Sequence, residues 1–382
     1  MINEMKNNYV GYHHRTMLTT VLIFMSCTVF SQEYLDIRIA HEPKPVVIKG
    51  LPTIYYELLL TNFGKDSVVL KAIEVIEPVN WATIFLFNEE ELTNRMSRTG
   101  VTGNDQNRML PPGMAAVVYV ELILPVSFNK QLVHQVEFES VVNEHITYHK
   151  IQGGNLTFTE QTQLVLGAPL RDGPWVAIYE PSWTRGHRRV VYTVDGQMRI
   201  PGRFAIDFIK VDHQGKYARD DDNLISNWFG YAADVLAVSD GVVVSARDDF
   251  NESNMLSEHP LYSSEQATGN YIAIDIGNGN FVFYEHLKPG SIKVKQGQKV
   301  EKGDVIGALG FTGQSTGPHL HFHVANRNSP LGAEGIPFVF EHFKVLGDYM
   351  DFTKFGKEKW EANSGQNVSN ERPAPNTVVL FE

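Results

Sequence analysis

The chain has a single cysteine in 382 residues, and that residue, Cys27, lies in an apolar N-terminal stretch. Once that stretch is removed the protein has no disulfide and no thiol chemistry, so any reactive centre must be built from histidine and carboxylate side chains. Long hydrophobic runs are missing too. Residues 17–30 are mostly apolar but too short, and too interrupted by Thr and Ser, to span a bilayer comfortably. With Lys6 and Arg15 flanking it, and Val29 and Ser31 suiting the small-residue cleavage rule, the segment 1–31 reads as a secretion signal with a mature start near Gln32. The expected destination is the cell envelope, secreted or periplasmic, with no integral membrane span left after cleavage. Lipoprotein anchoring at Cys27 is the less favoured alternative, because Phe24 and Met25 fit that signal poorly. Positive charge is scarce: 33 Lys and Arg against 44 Asp and Glu give a net charge of −11, which argues against a nucleic-acid partner. No internal repeat stands out. Gly297, Gly303, Gly307 and Gly310 do not sit between a strand and a helix, as a nucleotide-binding loop requires.

What is present is β character. Segments 55–61, 67–76, 115–124, 131–142 and 156–166 are rich in β-branched and apolar residues and are separated by Gly, Pro and Asn, which predicts a β-sandwich over 32–166. His41, His134, His145 and His149 lie in this region without metal-ligand spacing and read as core or surface histidines. The Pro- and Gly-rich stretch 167–174 marks a junction, and a second all-β domain follows over 175–345. Three hairpins are expected in it: 190–194 turned at Asp195-Gly196 onto 197–208, 237–246 turned about Ser239-Asp240-Gly241, and 271–286 turned about Asn278-Gly279-Asn280. Segments 212–228 and 248–268 read as long loops that either flank a groove or form solvated surface. Residues 346–382 read as a polar, loosely ordered tail.

The chemistry concentrates in Gly317-Pro318-His319-Leu320-His321-Phe322-His323. Successive side chains of a strand point to opposite faces, so the three histidines share one face and Leu320 and Phe322 the other. Three imidazoles on one face indicate a metal or acid–base site. Upstream, in order, stand Arg203-Phe204-Ala205-Ile206-Asp207-Phe208, Phe283-Tyr284-Glu285-His286-Leu287, and the run from Gly297 to Gly307.

This order resembles the lysostaphin/LytM-type zinc metallopeptidases over residues 204–325. The resemblance implies an antiparallel β core whose groove accepts peptidoglycan cross-links. It also implies zinc bound by Asp207 and His321, with His319 as the base that activates water and His286 orienting water and stabilising the oxyanion. The family's first zinc-ligating histidine falls at position 203, where this chain has Arg203, a donor-only side chain that cannot ligate a cation. Two residues are candidate substitutes. His187 lies on the other arm of the Asp195-Gly196 hairpin, where regular pairing puts it on the wrong face unless a bulge near Pro201-Gly202 corrects it. His323 is on the right face, but one step beyond His321. Alternatively, Arg203 occupies the metal position in an ion pair with Asp207. The functions left open are a secreted zinc endopeptidase, a degenerate member that binds cell wall or regulates another hydrolase, and a structural envelope module, which leaves the histidines unexplained. Oligomeric state is not legible.

Overall fold

Alternating buried and exposed side chains build an all-β architecture, with one short helix, Glu89–Arg95, among the described residues. The computed structural model describes residues 34–100, 108–125, 128, 130–142, 145–158 and 162–381. The expected secretion segment 1–31 and Cys27 lie outside the described residues. No described helix is long and apolar enough to cross a membrane.

The N-terminal part holds two five-stranded antiparallel sheets. One is built on Leu51–Asn62 and Ala115–Ile123, the other on Val68–Glu77 and Gln131–Val142. Ile54, Leu58 and Leu60 from the first join Leu70, Ile73, Val75 and Val136 from the second in a single buried cluster. Each such side chain contributes about 1.5–3 kcal/mol by leaving water. His134 is wholly buried within it. Its Nδ1–H donates to the Gly154 carbonyl at 2.9 Å, so its Nε2 accepts from the Tyr56 hydroxyl at 2.7 Å. The strand His145–Thr157 shifts register after Gly153, and Gly154 adopts φ +60° there, which delivers that carbonyl.

Among the described residues, the C-terminal part is built on an eleven-stranded sheet with two two-stranded ladders beside it. Its central order is Val339–Asp348, Thr377–Phe381, Asp172–Ile178, Ile206–Lys210, Leu320–Ala325, Phe281–Glu285, Tyr271–Asp275 and Gly241–Arg247. The expected loose tail is corrected here. Glu361–Glu371 pairs with Val339–Asp348, a strand that also runs across the expected boundary at 345. Thr377–Phe381 lies between two other strands, with Val378, Val379 and Phe381 buried. The polar composition misled because strand 361–371 pairs through its backbone while its side chains stay largely in solvent.

The Asp195-Gly196 turn forms, with both residues at positive φ, but its ladder ends after Tyr192–Arg199. The hairpin about Asn278-Gly279-Asn280 forms as expected. The one about Ser239-Asp240-Gly241 does not. Asp234–Leu236 pairs with Val305–Ala308, while Gly241–Arg247 pairs with Tyr271–Asp275. Gly241 serves a close approach instead: a Cβ there would lie 2.6 Å from the Asp275 carbonyl oxygen. The two long loops meet through a bridge between Leu224 and Met255, so neither is simply solvated surface.

Burial pushes the His134 imidazole down from 6.5 to about 4. Between those values the unfolded chain binds the extra proton and the folded one does not, so stability is full above pH 6.5 and falls as pH drops through the window. The expected loss is about 3 kcal/mol. Urea unfolding at pH 7 and pH 4 checks it, and His134→Gln should show a correspondingly smaller pH dependence.

Candidate active site

Strand register assembles most of the site. Asp207 on Ile206–Lys210 lies opposite His321 on Leu320–Ala325, and on the other edge of the same strand Glu285 of Phe281–Glu285 also lies opposite His321. The period-two alternation holds: Leu320, Phe322 and Val324 enter the main core, while His319, His321 and His323 share the other face. All three histidines are buried. They open on a cleft of about 810 Å³, walled by Tyr179, Trp183 and Tyr192 on one side and by Ala267 and Thr268 of the second long loop on another.

The third donor arrives from outside the ladder. Beyond Tyr192 and Arg199 both hairpin arms leave the sheet and wind into short 3₁₀ turns, His187–Arg189 and Pro201–Phe204. Position counting along a regular ladder therefore no longer applies, and the wrong-face expectation for His187 is corrected. Its Nε2 lies 2.8 Å from Asp207 Oδ2, and its ring centroid 4.5 Å from that of His321. The correction comes from these turns and not from a bulge. Gly202 makes it possible, because a Cβ there would lie 2.8 Å from the Cβ of His187.

Arg203 does not occupy the metal position, and the expected ion pair with Asp207 is absent. Its Nε donates to Glu57 Oε2 at 2.8 Å and its Nη1 to Glu334 Oε2 at 2.9 Å. These two buried carboxylates, both from distant segments, draw the guanidinium away from Asp207. His323 does not complete the Asp207 cluster either. It stacks on Phe283 at 4.8 Å, and its Nδ1 is 3.8 Å from Glu285 Oε1.

Asp207 is thus shared by three imidazoles. His187 holds Oδ2, His321 Nδ1 lies 2.9 Å from Oδ1, and His319 Nε2 lies 3.5 Å from the same oxygen. Burial works against the Asp207 charge, but His187 and His319 beside it, with hydrogen bonds from His187 and His321, hold its carboxyl well below the usual range. Burial likewise opposes a charge on His187, and Asp207 outweighs it and raises that imidazole. His321 is pushed down to about 4, by burial and then by the neighbouring His187. Burial, with His319 and His321 beside it, pushes His286 well below its ordinary value.

Hydrogen bonds fix two tautomers. The Gly317 carbonyl lies 2.8 Å from His319 Nδ1, and the Thr312 carbonyl 2.8 Å from His286 Nδ1. A carbonyl only accepts, so both Nδ1 atoms carry the proton and both Nε2 atoms present lone pairs in the neutral rings. His286 holds this pose at φ +64°, a left-handed conformation uncommon for a residue other than glycine.

His187, Asp207 and His321 each offer one ligand atom, all within 4.8 Å of one another. Two imidazole nitrogens and one carboxylate oxygen make a donor set that suits a catalytic zinc with an open fourth position. The residues therefore fit the ion. Glu285, buried opposite His321 and pushed up to about 8 chiefly by burial, carries no sequence signal of its own. Only the cross-strand register reveals its place.

Known proteins are similar to parts of this chain. Peptidoglycan DD-endopeptidase ShyA of Vibrio cholerae serotype O1 is 40% identical over 99 residues, which are 26% of this chain and 19% of that protein. The DD-carboxypeptidase/endopeptidase Mpg of Neisseria meningitidis serogroup B is 41% identical over 63 residues, 16% of this chain and 14% of that one. The matched stretches thus span a fifth or less of the length of these relatives. Among solved structures, the catalytic domain of lysostaphin from Staphylococcus simulans matches at 23% identity and a TM-score of 0.23, covering 45% of this chain and 88% of that chain. Residues 229–332, which include His286, His319 and His321, match the model of peptidase family M23, and the chain carries a domain of that family.

Proposed function

We propose that this protein is a zinc-dependent endopeptidase that hydrolyses peptide cross-links of peptidoglycan, exported to the cell envelope by its 1–31 segment. The observation that carries the reading is the convergence of His187, Asp207 and His321 beside His319 and His286 in one cleft. His187, 2.8 Å from Asp207, supports this reading as the donor that would take the place Arg203 cannot. The relatives named as peptidoglycan endopeptidases support the substrate class. The non-catalytic reading rested on Arg203, whose guanidinium is engaged by Glu57 and Glu334 instead.

His187, Asp207 and His321 would hold a zinc ion, which would lower the pKa of a bound water and polarise the scissile carbonyl. His319, with its Nδ1 proton committed to Gly317, presents Nε2 to take the proton of an attacking water and return it to the leaving amine as the C–N bond breaks. His286, anchored the same way on Thr312, presents a second acceptor that orients the water. The His321 ring is oriented by Asp207, whose Oδ1 lies 2.9 Å from its Nδ1.

Purified protein dialysed against a weak chelator should retain about one zinc per chain by elemental analysis, and His187→Ala should lose it. A wild-type protein that takes up no zinc even on resupply would sink the reading. His319→Ala should keep its zinc yet hydrolyse purified peptidoglycan about 10²- to 10⁴-fold more slowly; unchanged turnover would remove it as the base. Gly202→Val should crowd His187 and weaken zinc binding about 10- to 100-fold, measured by chelator competition.

A further inference from the structure

Among the contacts of the N-terminal sheets with the site, one carboxylate touches both turns beside His187. Glu57, on Leu51–Asn62, is 4% exposed. Its Oε1 accepts from Arg188 Nε at 2.9 Å and its Oε2 from Arg203 Nε at 2.8 Å. Arg188 directly follows His187 in one 3₁₀ turn. Arg203 directly follows Gly202 in the other, and Gly202 is the residue against which His187 packs. One carboxylate therefore ties together the two turns that pinch His187.

Other contacts hold the turns too: Arg188 Nη1 lies 3.4 Å from Glu121 Oε2, and Arg189 Nη2 donates to the Asn94 carbonyl at 3.1 Å, but neither bridges both turns. No side-chain cap closes either turn, and the hairpin ladder has ended before either begins. Arg188 adds two more anchors, its Nη2 donating to the Tyr56 and Val120 carbonyls at 2.7 and 2.8 Å. Arg203 adds Glu334, whose other oxygen meets His41 at 2.9 Å. Burying such charges is weak evidence for stability, since apolar groups of equal volume pack as well. What a planar guanidinium fork does contribute is direction, because its N–H groups are rigidly oriented. The two arginines hold the Glu57 carboxyl below its ordinary range despite the opposing effect of burial.

We propose that Glu57 is a positioning residue for the metal ligand His187, and that the N-terminal β region is thereby a working part of the site and not a removable cover. The inference rests on the zinc peptidase reading. The test uses the full chain and the zinc dissociation constant from chelator competition. Glu57→Gln removes the charge; Glu57→Asp keeps it but withdraws the carboxylate by one methylene, so that it no longer spans both guanidiniums. Val136→Ala, in the N-terminal core but away from Glu57, controls for plain destabilisation. At a temperature where circular dichroism shows all of them folded, the two Glu57 variants should bind zinc roughly 10- to 100-fold more weakly, and Val136→Ala like wild type. Folded Glu57 variants with wild-type zinc affinity would overturn the inference alone. A wild-type chain without zinc would overturn it together with the peptidase reading. Failure of both Glu57 variants to fold would also overturn it, by making Glu57 a residue of the fold and not of the ligand.

Discussion

One half-buried carboxylate organises this molecule's chemistry. Asp207 lies in the middle of a sheet, where an isolated charge would cost several kcal/mol. It stays ionised because imidazoles approach it from three directions. That demand explains the surrounding arrangement. His321 is held opposite by strand register, and His319 stands two residues earlier on the same face. His187 is carried in by a break in a hairpin. The same cluster of negative charge and lone pairs suits a divalent cation, whose arrival would displace the protons now shared among these groups.

The strand-level chemistry was legible in the sequence because it is local. The alternation of His319, His321 and His323 with Leu320 and Phe322 is a period-two pattern, and the Asp195-Gly196 and Asn278-Gly279-Asn280 turns follow from residues that tolerate positive φ. What was not legible depends on partners far away. Arg203 finds Glu57 across 146 positions, and no spacing rule anticipates that. The face presented by His187 was miscounted because counting assumes a continuous ladder, and two 3₁₀ turns break it. Ser239-Asp240-Gly241 carries a turn signature, yet the glycine is there to let Asp275 approach. Glu285 looked like any residue beside His286 until pairing set it opposite His321.

Position 203 serves as an anchor in this structure, its guanidinium held by Glu57 and Glu334. The segment matching peptidase family M23, 229–332, contains neither Asp207 nor His187. Two of the three candidate donors thus lie in the stretch before it. Arg203 is there a partner of Glu57 and Glu334. It anchors the turn whose glycine leaves space for the incoming histidine, and its neighbouring turn carries Arg188 onto the same glutamate.

The strand Thr377–Phe381 lies between Val339–Asp348 and Asp172–Ile178, and the latter borders the strand that bears Asp207. Without residues 377–381, Asp172–Ile178 would have an unpaired edge and the Asp207 strand beside it would be only partly supported. Residues about 200 positions apart therefore have to meet before the sheet that carries Asp207 is complete, a non-local pairing of the kind that slows folding.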